Sequence, residues 1–194
     1  MRLDFDCQIE QRDDALLLAY RVVNREPHVV GIFDRIRSVL PDATLRFSSD
    51  TAWVECEPAG TLLVQKRALP VPPGVRIAAN IPPECSRLAA GATREEVVRL
   101  PLPIAEMQPF KRALLIGPTP GEVIADVPAL VSRVTFTLGV FAVGGAVSLS
   151  ADHPAHPDVW TATPQAVGEQ ETLSRSFELA RPIGVKLYRV APWP

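Results

Sequence analysis

The chain has 194 residues, enough for one core that needs neither disulfide nor metal to hold together. Its 20 Lys and Arg against 22 Asp and Glu leave a net charge of −2, so nothing electrostatic points to nucleic acid or an anionic membrane as partner. With 47% apolar residues it is too apolar for a disordered chain. The longest apolar run, LGVFAVGGAV (138–147), is still far short of the ~20 residues of a membrane-crossing helix. The opening MRLDFDCQIEQRDD lacks the basic start and apolar stretch of an export signal, so a soluble cytoplasmic protein is expected.

In chain order, Leu3, Phe5, Cys7 and Ile9 alternate with Asp4, Asp6 and Gln8, the period of a strand buried on one face. ALLLAYRVV (15–23) runs into the turn signal NREPH (24–28), and the segments on either side of it read as a hairpin. VVGIFDRIRSVL (29–40) fits two periods: a strand from Val29 to about Arg35 is expected, with a short helix carrying Ile32, Ile36 and Leu40 as the alternative. Short strands at LRF (45–47), AWVEC (52–56) and TLLVQKRAL (61–69) follow, separated by the turns SSD and EPAG.

Of the 20 prolines, nine gather between apolar runs, at 70–73, 82–83, 101–103 and 118–120. Lacking an N–H, they mark strand ends, edges and crossovers, and they leave little room for long helices. VRIAANI (75–81) and RLAAGATREEVVRLPLPI (87–104) come next, with Gly91 turning the chain into a strand whose Val98 and Leu100 oppose Arg99. IAEMQPFKRALLIG (104–117) is the place for a helix, which Pro109 limits to a turn or two. In LVSRVTFTLGVFAV (130–143), Val134, Phe136, Leu138 and Val140 share one face and Arg133, Thr135 and Thr137 the other. After the Gly144-Gly145 break come AVSLS (146–150), VWTAT (159–163), TLSRSFEL (172–179) and IGVKLYRV (183–190), then the tail APWP. About ten strands of this kind predict an all-β, antiparallel β-sandwich, one domain over 1–194, with a Greek-key connection through 70–83.

The stretches LLLAYRVVNREPHVVGIFDR (16–35) and RLAAGATREEVVRLPLP (87–103) resemble bacterial immunoglobulin-like β-sandwich modules and, more distantly, modules of the intracellular proteinase inhibitor type. In these a strand ending in Asn leads through a polar turn, and a later L-x-x-G turn introduces another long strand. Ala90-Gly91 stands where such modules often carry Pro-Gly. The resemblance covers about half the chain and implies a fold; it brings no active residues with it.

The chemistry-bearing residues concentrate in ADHPAHPDVW (151–160). Pro154 and Pro157 break any helix, so His153 and His156 sit on a loop. A zinc-type site there would draw on Asp152, Asp158 or the distant His28; a solvated loop is the plainer reading, with metal on His153, His156 and Asp158 the alternative. GVFAVGGA (139–146) has two glycines of a phosphate-loop frame, but Gly145 occupies the lysine position. Ser148, His153 and Asp158 form a triad on paper only, and no G-x-S-x-G elbow is present. Asp13-Asp14 and Glu95-Glu96 read as solvated charge, because neighbours in a strand face opposite sides. Cys7, Cys56 and Cys85 are scattered and odd in number, and read as buried apolar side chains. Trp53 and Trp160 suit core packing first and a sugar-stacking platform or protein anchor second; Trp193 in the tail marks an interface if exposed.

These readings predict a non-catalytic protein-interaction or structural module with no cofactor. Its partner would be another protein, or a second copy bound through an edge strand or the C-terminal tail. The alternatives are a metal-binding protein or metal-dependent enzyme on the histidine loop, and a carbohydrate-binding module using exposed tryptophan.

Overall fold

The computed structural model describes residues 1–39, 45–73, 82–110 and 123–190. Alternating side chains put most of these into strands: β1 (Leu3–Gln11), β2 (Ala15–Asn24), β3 (Val30–Val39), β4 (Leu45–Ser48), β5 (Trp53–Cys56), β6 (Thr61–Lys66), β7 (Glu84–Leu88), β8 (Thr93–Pro101), β9 (Ile104–Ala105), β10 (Val123–Ala142), β11 (Leu149–Ser150), β12 (Thr161–Ala162) and β13 (Glu171–Val190). One short helix, α1 (Gln165–Glu169), lies in the last long connection. The protein is all-β, and no helix among the described residues is long and apolar enough to cross a membrane.

β1, β2 and β8 form an antiparallel three-stranded sheet. The larger sheet is built on the hairpin of β10 and β13. The free edge of β10 is shared, by β6 in parallel along Arg133 to Leu138 and then by β3 antiparallel at Val140 to Ala142. β5 extends β6, β9 extends β13, and Val54 and Met107 exchange backbone bonds of 2.6 and 2.8 Å. Those bonds carry the pairing back from β9 to β5, so this side of the larger sheet curls into a half-barrel.

The three-stranded sheet lies over the larger one around a common core. Val134, Phe136, Leu138 and Val140 on β10 are all fully buried, and the Phe136 ring meets Tyr20 at 5.2 Å and Phe5 at 6.4 Å. The opposite face of the hairpin is polar, with Arg133 paired to Glu178 and hydroxyl contacts joining Thr135 to Ser176 and Thr137 to Ser174. A smaller core of Phe33, Cys85, Phe141, Val147 and Ala166 lies under the connection that carries α1. Gly31 makes it possible: a Cβ there would fall 2.1 Å from the Phe141 ring.

Several expectations change. β2 and β3 do not form a hairpin, since they belong to different sheets and 25–29 is a crossover. The reason is Asn24, fully buried, whose amide donates toward the carbonyls of His28, Leu88 and Ala89 at 2.8–3.1 Å. Its own N–H bonds Ala92 O and its carbonyl accepts from Gly91, which stands at φ +74°. The strand-ending Asn and the L-x-x-G turn therefore meet, and their meeting diverts the chain out of the first sheet.

Residues 30–39 are strand throughout, without the alternative helix. Within 104–117, where a short helix is expected, Ile104–Ala105 is β9 and 111–117 lie outside the described residues, as do 75–81 and most of the proposed Greek-key connection. The segments 172–179 and 183–190 are halves of one bent strand, in which Leu179, Ala180, Arg181 and Pro182 stand against Ser132 alone.

Phe136→Ala is expected to cost about 3–5 kcal/mol by opening the core. Asn24→Ala is expected to cost about 1–3 kcal/mol by stranding buried carbonyls. Leu130→Ala, at a position 72% exposed, should stay within about 0.5 kcal/mol. Urea denaturation monitored by tryptophan fluorescence measures all three.

Candidate functional site

The inward positions of four strands begin apolar and end polar. On β3 the series is Val30, Ile32, Asp34; on β6 it is Leu62, Val64, Lys66; on β8 it is Leu100, Val98, Glu96, Arg94; on β2 Tyr20 continues Leu16 and Leu18. The polar ends converge between the two sheets. Asp34, at 0% exposure, accepts from Arg94 Nε at 3.1 Å and from the Ser86 hydroxyl at 2.7 Å. Arg94 pairs with Glu96 at 2.5 Å, and Arg35 reaches both Asp34 and Glu96 at 3.9 Å. Lys66 is completely buried, donates to the Ser49 carbonyl and sits 5.8 Å from the Tyr20 ring centroid. The buried Tyr20 hydroxyl finds no hydrogen-bond partner.

Burial lowers the Lys66 pKa to about 8 against the opposing pull of Asp34 and Glu96. Burial likewise drives the Tyr20 phenol well above its ordinary range, with Asp34 and Glu96 adding to the shift. Glu96 was expected as solvated charge; it turns inward instead, while Glu95 stays exposed and pairs with Arg21. Asp34, Lys66, Arg94 and Glu96 carry no motif. The signal that finds them is parity, since Asp34, Lys66 and Glu96 each extend a buried apolar series by two residues and Arg94 follows two beyond Glu96.

The histidine loop is fastened to this network from outside. Asp158 binds Arg35 at 2.6 Å. His153 Nε2 lies 3.3 Å from Glu84 Oε1 and 3.4 Å from the Thr161 hydroxyl. His153 and His156 flank the Phe47 ring, with centroids 4.4 and 5.1 Å away. The structure thus brings the two imidazoles to one ring but directs Asp158 to an arginine, Asp152 to Ser150, and leaves His28 in the β2–β3 crossover. Among the described residues, no group of three or more His, Cys, Asp or Glu is placed to hold a metal ion. Ser148 bonds through its N–H to Thr163, so Ser148, His153 and Asp158 each have separate partners.

Trp53 is half-buried on β5, opposite Gln65. Trp160 is half-buried beside β7, bridged to Cys85 with the Arg87 guanidinium 5.7 Å from its ring. No ring contact joins the two, and Trp193 lies outside the described residues. None of the three cysteines is joined in a disulfide. Burial pushes the Cys7 thiol up to about 12 and raises Cys85 as well, the opposite of an activated nucleophile.

No protein-family model, curated protein or solved structure matches this chain.

Lys66 gives the network a measurable pH signature. Its folded pKa of about 8 lies below the ordinary lysine value of 10.5, so the unfolded chain holds more protons between those values. The Lys66 contribution to stability therefore rises with pH across that window, by at most about 1.4 kcal/mol per pH unit. Above pH ~9 the buried thiols oppose it, because they keep protons that the unfolded chain releases. The difference in unfolding free energy between wild type and Lys66→Met isolates the lysine: it should be flat below pH ~8 and should shift in favour of wild type from there to ~10.5.

Proposed function

We propose that this chain is a non-catalytic, immunoglobulin-like β-sandwich of the Greek-key type, and that it acts in the bacterial cytoplasm by binding an extended segment of another protein. Two sheets on one core with a strand-to-strand crossover at Asn24 support the fold. Buried Cys7 and Cys85, in no disulfide, fit a reducing compartment. The charged groups between the sheets are engaged mainly with one another, which favours a structural role for them.

The open edge of β8 carries the reading. β8 is the last strand of its sheet, and the pairing alternation turns the backbone groups of Thr93, Glu95, Val97 and Arg99 away from β2. Arg99 N–H is taken by the Asp50 carbonyl at 2.9 Å, whereas Glu95 and Val97 make no such bond among the described residues. An added strand would pair along this stretch and pack a side chain beside Val97, which is 46% exposed. The Arg21–Glu95 and Arg99–Asp14 pairs flank it with charge, a guard against indiscriminate pairing. A second copy fits poorly: two-fold pairing about Val97 would run into the Asp50 cap at both ends.

A photo-crosslinking side chain at position 97 should yield an adduct with another polypeptide in cells. Adding Glu95→Pro should abolish it, because that N–H points away from the β2 ladder and its loss leaves the sheet intact. The same label at exposed position 130 serves as control. Absence of an adduct, equal labelling at 130, or an adduct only with a second copy overturns the proposal.

A further inference from the structure

A second surface feature, apart from the β8 edge, is a cleft of about 400 Å³ beside the histidine loop. Its described lining is Arg37 from β3, Pro82 and Glu84 at the start of β7, Thr161 and Ala162 of β12, and Pro164, Val167 and Gly168 around α1. That volume falls in the range of small-ligand pockets.

Its polar groups are few and of opposite charge. β3 and β7 pair antiparallel with Arg35 opposite Glu84, so Arg37 is a diagonal neighbour of Glu84 on the same face, about 7–8 Å away at the Cα level. Arg37 is half-buried, and its side chain enters no ion pair or hydrogen bond among the described residues. Glu84 is only 5% exposed; Oε1 lies beside His153, and Oε2 has no partner there. Thr161 and Glu84 both hold the His153 ring, which fixes the Glu84 carboxylate at the cleft wall. Around Asp34, by contrast, the charged groups pair with one another, Arg94 with both Asp34 and Glu96. An arginine and a buried carboxylate side by side, each with unused bonding capacity, form a complementary pair of binding points with an apolar wall of Pro82, Ala162, Pro164 and Val167.

We infer that this cleft binds a small apolar amino acid as its zwitterion, with the carboxylate on Arg37, the ammonium on Glu84 and the side chain against the proline and valine wall. A guanidinium fork matches a carboxylate in geometry, and the buried carboxylate supplies the acceptor an ammonium requires. The site stands independently of the β8 edge, so the failure of either leaves the other intact.

Calorimetric titration with L-leucine and L-valine tests it. Saturable binding is expected at millimolar concentration or below. N-acetyl-leucine, which lacks the ammonium, and leucinamide, which lacks the carboxylate, should each bind at least about tenfold more weakly than leucine. Arg37→Met should weaken leucine binding by a similar factor. Gly168→Leu should block the cleft with thermal unfolding preserved, since a Cβ at Gly168 meets no atom within 4 Å. Absence of saturable binding by either amino acid overturns the inference, as does binding indifferent to N-acetylation or to both substitutions.

Discussion

Asp34 constrains the arrangement of the two sheets more than any other side chain. A carboxylate with no solvent exposure is tolerated only where donors surround it, and its donors come from different strands: Arg94 on β8 and Ser86 on β7, with Lys66 on β6 adding its charge. Shifting β8 by one residue along β2 would remove Arg94 from Asp34 and turn the inward face of β8 outward. Buried ion pairs of this kind often add little net stability over an apolar replacement, yet leaving one partner alone is severely unfavourable. The network therefore acts on register: it specifies which end of the sandwiched strands meets which.

The same network reaches the surface through Arg35. Its bond to Asp158 anchors the histidine loop, while His153 and His156 close over Phe47 and His153 leans on Glu84. The loop is thereby fastened beside the cleft, where His153 holds the Glu84 carboxylate in place. Its imidazoles serve packing and orientation. What remains chemically available is on the rim, at Arg37 and Glu84, and along the unpaired side of β8. These are the two surfaces proposed for recognition, one for a small ion-pairing ligand and one for backbone.

Local pattern was a good guide wherever burial alternates cleanly. The faces of β1 and β10 follow directly from their sequences, and the prolines at 101 and 182 fall at a strand end and at a break in register. It failed where a distant partner decides. NREPH carries every mark of a hairpin turn, yet buried Asn24 spends its amide on carbonyls at positions 88 and 89, and the chain leaves the sheet. Glu96 reads as surface charge until its parity with Val98 and Leu100 is taken seriously. For the cleft nothing was legible, because Arg37, Glu84 and Thr161 come from three separated segments, none with a motif.

From the amino-acid order alone follow the all-β character, the inward and outward faces of the principal strands, and the burial of Cys7 and Cys85, though not of Cys56, which is half-buried. Each of these depends on side-chain alternation and on backbone preferences within a few residues. Which strands become neighbours, and what the polar ends of their inward faces meet, came only with the tertiary structure. Arg94 and Asp34 stand 60 residues apart, and their attraction exists only after two sheets have been laid together. Local propensity carries no record of such a pairing, since its energy depends on the low-dielectric interior that folding itself creates.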